Sequence, residues 1–520
     1  MSDHDVIFIG GGHNGLVAAV RLARAGLKTL VLERRSVAGG AAVTEELHPG
    51  FRVSTLAHAA QLAPAVLTDL RLADHGLELI DPDPFLFAPL ADGRGLVLGH
   101  DAAASAASIA QFSEPDSRRY AEFREATGRV TKFVSDLLEN PPPEIEQTKR
   151  ADFWPLLSMA RRFRRLGKKD AYRLLRWAPM SASDFVTEWF ESEPLRAAIA
   201  APGIFGTAFG PRSAGSAAVL LLQMATGDGR RRLVRGGLGA LSSALVSAVR
   251  AAGATIRTDA EVGRIDVLGG RVEGVTLASG EQLRARTVVS NADPRRTFLG
   301  LVDPMELGPD FLGRIRCYRC VGNVAKINLA LSDLPRFTSG DARTLSGRIH
   351  IGPNLDYLER AFDASKYGRH ASRLCLDATI PSLTDPALAP AGAHVMSINA
   401  TFAPYRLQGT DWTAAAPGFA DAVIDTLVEH APDIRRLIVQ RQVITPVDLE
   451  SRYGLTGGHI FHGELSLDQL FSMRPLLGWA RYRTPIGGLY LCGAGTHPGY
   501  GVSGLSGLNA SREILRDLNR

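Results

Sequence analysis

The sequence predicts an α/β protein in which a parallel sheet flanked by helices is interleaved with an α+β part built on an antiparallel sheet. Three observations support this fold class: a strand–helix–strand pattern at 5–34, a helix followed by alternating segments at 236–289, and a strand, a glycine-rich turn and a helix at 489–515. The long segments between them have alternating and amphipathic patterns of their own. We therefore predict that the first part is assembled from 1–75, 231–300 and 456–520, and the second from 76–230, which is mainly helical, and 301–455, which supplies the sheet.

Length, composition and charge place the chain among ordinary globular proteins. Its 520 residues are too many for one simple core, and 45% hydrophobic and 22% charged residues are typical values. The net charge of +5 is too small for a nucleic-acid footprint, so we expect no nucleic-acid partner. The N-terminus has no basic leader, no apolar run reaches about 18 residues, and the four cysteines suggest no disulfide framework. We expect a cytoplasmic protein with reduced thiols.

The opening pattern has the parts of a dinucleotide-binding unit. A β-branched run from Asp5 to Ile9 predicts a buried parallel strand, and the next strand ends in Glu33. Between them, a GxGxxG run opens a helix. Gly10 makes the tight turn, Gly12 lets a pyrophosphate approach the backbone, and Gly15 lets the helix pack closely on the strand. The helix N-terminus favours phosphate, and Glu33 can accept hydrogen bonds from a ribose diol. This context predicts dinucleotide binding and not an incidental glycine turn.

A second glycine pair, Gly39-Gly40, follows an arginine-rich turn after Glu33. The pair extends the phosphate-binding surface, which is typical of large FAD-dependent oxidoreductases. The alternative is a loop with an ordinary turn glycine.

The middle of the chain adds two further motifs. Gly236-Gly237 precede an amphipathic helix, residues 262–289 alternate as an antiparallel meander, and 288-VVSNADP-294 returns a strand to a loop. Together with the N-terminal unit and 493-GAGTHPG-499, they resemble the phytoene desaturase-like (carotenoid dehydrogenase) family of flavoproteins. The resemblance spans almost the whole chain. Three segments, 40–46, 458–475 and 483–499, are most similar to one branch of that family. The members of this branch are named pyridine nucleotide-disulfide oxidoreductase domain-containing protein 2.

That resemblance implies a Rossmann-type FAD-binding domain of the GR2-like flavoproteins, with FAD as the cofactor. It also implies that Leu489–Cys492 is the last strand of the sheet and that a helix beginning near Gly501 points its N-terminus at the flavin ring. By position, it assigns FAD contacts to Gly10, Gly12, His13, Asn14, Gly15, Glu33, Arg34, Gly40, Ala41, Val262, Asn291, Ala292, Gly493, Ala494, Gly501 and Val502.

Two features limit what the resemblance implies. Carotenoid desaturases commonly have GGR where this chain has Gly39-Gly40-Ala41, which weakens the transfer of a carotenoid substrate. A disulfide oxidoreductase needs a redox cysteine pair near the first motif, but residues 34–70 contain no cysteine and no second GxGxxG unit is present for NAD(P)H. Cys317 and Cys320 form a CxxC, which could pair in a helical turn; the alternative is a pair of structural thiols, and neither interpretation includes a metal site.

The second part is expected to cover the flavin with an antiparallel sheet and to enclose an apolar cavity. Its strands are predicted within 324–334, 374–380 and 395–402. The candidate catalytic residues are His497, which lies in the GAGTHPG motif, and His58, with His462 and Tyr500 as further candidates. A histidine beside the flavin can move a proton during hydride transfer. The alternative is a structural histidine that hydrogen-bonds to backbone groups.

Residues 149–177 predict a basic amphipathic helical region in which aromatic and aliphatic residues alternate with cations. The cations are Lys149, Arg150, Arg161, Arg162, Arg164, Arg165, Lys168, Lys169, Arg173 and Arg176. Such helices can lie on anionic lipid surfaces, through which a lipophilic substrate would enter. This interpretation adds a peripheral position at the inner face of the membrane; the alternatives are a solvated helix pair and an oligomer contact.

Three functions are compatible with these motifs. The first is an FAD-dependent oxidoreductase that desaturates or saturates a C–C bond of a hydrophobic, polyene or isoprenoid-like substrate by hydride transfer to or from flavin N5, with oxygen or a quinone as the electron acceptor. The second is a redox-neutral flavin-dependent isomerase, and the third is a flavin-bound interaction protein with little catalysis. The predicted apolar cavity and the flavin motifs favour the first.

Overall fold

The computed structural model describes residues 3–144 and 153–519. Its strands are β1 (His4–Ile9), β2 (Thr29–Leu32), β3 (Thr44–His48), β4 (Phe51–Ser54), β5 (Leu79–Ile80), β6 (Leu86–Pro89), β7 (Gly95–Leu98), β8 (Leu233–Val234), β9 (Thr255–Arg257), β10 (Val262–Leu268), β11 (Arg271–Leu277), β12 (Gln282–Ser290), β13 (Val324–Leu331), β14 (Arg348–Ile351), β15 (Cys375–Thr379), β16 (His394–Thr401), β17 (Ile438–Ile444) and β18 (Leu489–Leu491).

The helices are α1 (His13–Arg24), α2 (Pro64–Leu70), α3 (Ala102–Ala110), α4 (Glu114–Leu138), α5 (Phe153–Arg165), α6 (Gly167–Trp177), α7 (Ala182–Thr187), α8 (Glu193–Ala200), α9 (Ser216–Ala225), α10 (Leu238–Ala251), α11 (Pro294–Arg296), α12 (Pro309–Cys317), α13 (Leu355–Lys366), α14 (Trp412–Val428), α15 (Ile434–Leu437), α16 (Pro446–Tyr453) and α17 (Leu505–Asp517). Short 3₁₀ segments join several of them.

The first sheet has the strand order β10–β11–β12–β1–β2–β9, and β18 also pairs with β12. Strands β12, β1, β2 and β9 run parallel, as do β12 and β18. The predicted meander is formed by β10, β11 and the start of β12, which are antiparallel. The end of β12 continues into the parallel sheet beside β1. The predicted α/β class with a Rossmann-type sheet is confirmed.

Helices α1 and α17 pack closely against each other. A side chain at Gly507 of α17 would place its Cβ 2.0 Å from the carbonyl oxygen of Asn14 in α1, so only glycine permits this contact. Helix α17 begins at Leu505 and not near Gly501, where the sequence predicted its start. Gly501 and Gly504 both have positive φ, which interrupts a right-handed helix at this turn.

The second sheet has the order β17–β13–β16–β15–β14–β6–β7 and is antiparallel except where β14 runs parallel to β6. One face is apolar and packs against α14 in a buried core. The other face is polar but also buried, because residues such as Lys326, Asp377 and Asn399 alternate with the core residues. The second sheet therefore turns a buried polar face toward the rest of the molecule.

Helices α3, α4 and α6 to α9 contribute to a separate apolar core beside the second sheet. The basic region begins within this part as α5 and α6, and Lys149 and Arg150 lie outside the described residues. None of the described helices is both long enough and apolar enough to cross a bilayer. The domain boundaries given above remain a prediction.

Candidate functional site

A single continuous cavity of about 710 Å³ is lined by residues from both sheets and from the helical part. Most of the residues to which the resemblance assigns FAD contacts lie in its wall: Gly10, Gly12, His13, Asn14, Glu33, Arg34, Gly40, Ala41, Val262, Asn291, Ala292, Ala494, Gly501 and Val502. The structure therefore brings together residues from the three separated pieces of the chain.

Two of the assigned glycines, Gly15 and Gly493, lie behind the cavity wall. A Cβ at Gly15 would lie 2.8 Å from the carbonyl oxygen of Gly10, and one at Gly493 would lie 2.5 Å from that of Asn291. These distances are shorter than any side chain tolerates. Both glycines are therefore required for close packing of the strand ends and not for a free approach to the cavity.

The N-terminus of α1 opens into the cavity. Gly12 caps this helix in an extended conformation, no side chain accepts from the first backbone N–H groups, and the first turn contains no acidic residue. A helix N-terminus with free N–H groups has a partial positive charge and binds phosphate. A Cβ at Gly12 would also lie 2.5 Å from Nδ2 of Asn291, so a side chain here would displace a neighbouring residue of the wall.

Glu33 is held in one orientation at the end of β2. Its Oε2 accepts a hydrogen bond from the N–H of Gly11 at 2.9 Å, and its Oε1 accepts one from the N–H of Arg35 at 3.0 Å. The side chain is buried yet lines the cavity. Each carboxylate oxygen keeps a further lone pair, so the pinned group can accept the hydroxyls of a ribose.

Three buried polar atoms beside this cradle have no hydrogen-bond partner among the described residues: Nε2 of His13, Oδ1 of Asn14 and Nδ1 of His462. All three residues line the cavity. Burial, together with the nearby His462, lowers the pKa of His13 to about 4, so this ring is neutral at physiological pH. Because buried polar groups are normally satisfied, these atoms indicate a polar ligand, and the cradle fits a dinucleotide cofactor.

Arg474 fixes the loop that forms one wall of the cradle. This guanidinium is fully buried and donates hydrogen bonds to five backbone carbonyls, at Phe461, Gly463, Glu464, Gln469 and Ala494. Ala494 lines the cavity, and so does Phe461. Arg474 therefore joins the loop after α16 to the turn that follows β18.

The geometry does not support the expected proton-transfer role of His58. The ring lines the cavity, but its Nε2 donates to the carbonyl oxygen of Asp377 at 2.8 Å and its Nδ1 accepts from Nζ of Lys326 at 2.8 Å. Burial, with a further contribution from Lys326, lowers the pKa of His58 to about 3. Both ring nitrogens are thus occupied, and the ring is neutral.

His497 does not line the cavity. It is buried, its ring packs edge-on against Phe471, and its Nε2 lies 3.3 Å from the carbonyl oxygen of Leu137. Burial lowers its pKa to about 4. These contacts match the structural alternative for this residue, in which the ring hydrogen-bonds to backbone groups.

Sequence reasoning missed a charged cluster on the polar face of the second sheet. Asp377 lies 3.0 Å from Nη1 of Arg348 and 3.9 Å from Nη1 of Arg231, and all three side chains line the cavity. A signal was present, because Asp377 interrupts the apolar run of β15 just as Lys326 interrupts that of β13. A charged residue inside a buried strand is rare unless it is paired.

Another part of the cavity wall is rich in apolar side chains and is called the apolar chamber here. Its aromatic and aliphatic lining comprises Phe85, Leu86, Leu98, Tyr120, Phe123, Ile199, Phe205, Leu220, Met224, Leu233 and Phe461. The chamber is continuous with the cradle, so a hydrophobic molecule bound in it would share one space with the cofactor.

The CxxC does not form a redox pair in this structure. Cys317 is the exposed last residue of α12, and Cys320 lies beyond the helix, buried and unpaired. Burial, with a smaller contribution from Asp293, raises the pKa of Cys320 to about 12, so it remains a thiol and not the reactive thiolate.

Comparisons with known proteins identify the family of the chain. The family model described as flavin containing amine oxidoreductase matches residues 15–515. Pyridine nucleotide-disulfide oxidoreductase domain-containing protein 2 of Rattus norvegicus is 38% identical, over 99% of this chain and 94% of that protein. A limonene dehydrogenase component of Castellaniella defragrans is 29% identical, over 99% and 95% of the two chains. A lycopene-forming phytoene desaturase of Pantoea ananas is 26% identical, over 96% of each.

The fold has relatives among solved structures as well. An oxidoreductase from Methanosarcina mazei superimposes with a TM-score of 0.62 at 15% identity, and the match covers 98% of this chain and 100% of that one. At this identity the likeness concerns the fold alone.

Proposed function

The chain belongs to the flavin-containing amine oxidoreductase family and is an FAD-dependent oxidoreductase, and from this premise we propose that it transfers hydrogen at a C–C bond of a hydrophobic, isoprenoid-like substrate. The observation that supports the proposal is the continuity of the FAD cradle with the apolar chamber. When bound, FAD supplies the hydride acceptor or donor. The residues of the chain bind the two molecules side by side and exclude water from the space between them.

The names of two relatives support the substrate class. One is named as part of a limonene dehydrogenase and the other as a phytoene desaturase, and both names refer to hydrogen removal from a hydrophobic molecule. The chamber of this chain has an aromatic and aliphatic lining suited to such a body.

We assign the cofactor contacts by position in the cradle. The N-terminus of α1, with His13 and Asn14, holds the pyrophosphate, and Glu33 holds the adenosine ribose. Ala494, Gly501 and Val502 lie against the flavin ring. Desaturation removes a hydride, which the bound cofactor would accept, and a proton from the neighbouring carbon. Both ring nitrogens of His58 are occupied, so the proposal does not assign this proton to His58 but to solvent water.

Anaerobic flavin reduction tests the proposal. Purified holoenzyme is mixed with fractionated host lipid, and the visible absorbance of oxidised flavin is followed. Met224→Trp fills the chamber, whereas Met305→Trp makes the same change at a residue that is 90% exposed and outside the cavity. We expect one fraction to bleach the wild type and M305W but not M224W, while dithionite bleaches all three. Absence of bleaching by every fraction, with FAD fully bound, would contradict the proposal and favour the isomerase or interaction role.

The electron acceptor is proposed to be oxygen or a quinone. Once the substrate has reduced the flavin, stopped-flow mixing with aerated buffer or with a soluble quinone under anaerobic conditions compares the two rates of reoxidation. The faster reaction identifies the acceptor. Reoxidation by neither would exclude both.

We also propose that α5 and α6 contact an anionic membrane through which the substrate enters. Their exposed side chains include Trp154, Tyr172 and Leu175 beside Lys168 and Lys169. Each cation near such a surface contributes about 1 kcal/mol, or roughly five-fold in binding. We expect the protein to co-sediment with phosphatidylserine vesicles. Binding should weaken in salt and in the Lys168→Gln/Lys169→Gln variant. It should not weaken in the control Arg435→Gln, because Arg435 lies on a different part of the fold. Equal sedimentation of the charge variant and the wild type would refute this contact.

A further inference from the structure

The polar side of the cavity contains a charged cluster to which the resemblance assigns no FAD contact. Arg231 and Arg348 reach it from the segment before β8 and from β14, and Asp377 reaches it from β15. Asp377 pairs with Arg348 at 3.0 Å, whereas Nη1 of Arg231 lies 3.9 Å from the same carboxylate oxygen, beyond hydrogen-bond distance. One guanidinium is therefore paired with the carboxylate and the other retains donors.

Burial disfavours the charged form of the groups packed around this cluster. Burial lowers the pKa of His58 to about 3 and that of His350 to about 4, and it lowers the pKa of Lys326 far below its usual value. Burial raises the pKa of Tyr500, which is therefore an uncharged hydroxyl. Arginine stays protonated at neutral pH. Two cations thus face one carboxylate, which leaves at least one positive charge in excess within the cavity.

Of the other acidic side chains in the cavity wall, Asp228 is exposed to solvent, and two more are paired with cations outside the cluster. Asp81 pairs with Arg230 at 2.8 Å, and Glu261 pairs with Arg296 at 3.3 Å. Glu33 accepts two backbone N–H groups at the cradle end of the cavity. An excess cation in a low-dielectric cavity is costly unless an anion binds.

Resting on the function proposed above, we propose that the substrate is a hydrophobic carboxylic acid whose carboxylate binds between Arg231 and Arg348 while its apolar body fills the chamber. The planar guanidinium fork matches a carboxylate, and one excess charge matches a monoanion better than a phosphate. The site thereby fixes which end of the substrate lies deep in the cavity and which carbon faces the cofactor.

The site is built to hold such a group. Arg231 is oriented by hydrogen bonds from Nη2 to Oε1 of Gln223 at 2.7 Å and to the hydroxyl of Tyr500 at 3.1 Å. Tyr500 directly precedes Gly501 of the FAD cradle, so the anion site adjoins the cofactor site in the chain. Three further buried atoms of the same wall have no partner among the described residues: Oγ1 of Thr379, Oδ1 of Asn399 and Oδ1 of Asp377. The Thr379 hydroxyl can donate to a bound carboxylate, which gives that orphaned group its missing acceptor.

Equilibrium binding tests the inference without turnover. The holoenzyme is titrated by calorimetry with decanoate and with decanol, which have the same chain length but differ in charge. We expect decanoate to bind at least roughly ten-fold more tightly, because hydrogen bonds to a charged group contribute about 1.5–3 kcal/mol. Equal affinities, or tighter binding of decanol, would overturn the inference.

Three variants test whether a preference for decanoate over decanol depends on this cluster. Arg231→Gln should abolish the preference for decanoate and leave the affinity for decanol unchanged. The control is Arg235→Gln, since Arg235 is exposed and pairs with Glu78 outside the cavity. This control should change neither the preference for decanoate nor the affinity for decanol. Asp377→Asn should act in the opposite direction and tighten decanoate binding, because it removes the competing carboxylate. A preference that survives in R231Q would refute the assignment.

The test of carboxylate binding can fail or succeed independently of the test of the proposed function. Reduction of the flavin by a neutral hydrocarbon fraction, with no preference for decanoate, would overturn this inference and leave the proposed function. A preference for decanoate that depends on Arg231, with no reduction by any fraction, would support the inference and overturn the proposed function.

Discussion

Replacement of Arg474 by lysine tests how the cradle is held together. The guanidinium donates to five buried carbonyls, whereas an ammonium has three donors on a single atom and cannot reach carbonyls on opposite sides. A Cβ at Gly499 would lie 2.0 Å from Nε of Arg474, so the space around this side chain is completely filled. Lysine keeps the charge but not the fork.

The expected magnitude follows from the count of carbonyls. With at most three of the five satisfied, at least two buried acceptors lose their partners, and each costs about 1–3 kcal/mol. The free energy of unfolding should therefore fall by about 2–6 kcal/mol. Because one of the five is Ala494, which we propose to lie on the flavin side of the cradle, R474K should also release FAD more readily than the wild type.

Urea unfolding of the holoenzyme, followed by flavin fluorescence and circular dichroism, measures both effects. The matched control is Arg314→Lys, since Arg314 is exposed and donates to a single carbonyl, that of Leu477. Its free energy of unfolding should stay within about 0.5 kcal/mol of the wild type. A value for R474K equal to that of R314K would refute the reasoning.

Three further predictions concern the cofactor, the histidines and the thiols. Glu33→Gln puts an amide N–H₂ against one of the two backbone N–H groups that Glu33 accepts, and should weaken FAD binding by roughly 10- to 100-fold. Flavin fluorescence on dilution measures the affinity. An unchanged affinity would contradict the role of Glu33. His497 is neutral when folded (pKa about 4) but protonates below about pH 6.5 when unfolded, so its stabilisation is complete above about pH 6.5 and is lost as the pH falls toward 4. In His497→Gln the unfolding free energy should decline less steeply over this range, by up to about 1.4 kcal/mol per pH unit, and an unchanged slope would disprove the shift. Cys317→Ser should leave anaerobic flavin reduction and its rate unchanged, because Cys317 and Cys320 form no redox pair; a loss of reduction would show that they do.

The fold and the cofactor cradle were largely readable from local patterns. The strand, glycine run and helix around Gly12 are contiguous in the sequence, and the physical demand for a close backbone approach leaves a visible glycine signature. The meander before β12 was visible for the same reason, since period-two alternation and turn glycines are local features. Each of these signals lies within a few tens of residues.

The charged cluster of the cavity could not be predicted in this way. Arg231, Arg348 and Asp377 lie far apart in sequence and meet only because β14 and β15 pair within the second sheet and the segment before β8 lies against it. His497 and His58 were singled out as residue types near motifs, but the orientation of a histidine ring depends on distant backbone groups such as the carbonyl of Leu137. Helix α17 begins later than predicted because positive φ at the turn glycines Gly501 and Gly504 is not visible in a hydrophobic pattern.

The measurement that tests the central claim most directly is a single turnover of the reduced or oxidised holoenzyme with the substrate that the anaerobic screen identifies. Flavin absorbance and product mass are recorded on the same sample. The account predicts one altered C–C bond for each flavin that changes redox state, with a gain or loss of two hydrogens in the product. A rearranged product of unchanged mass, formed with no net change in the flavin, would contradict it.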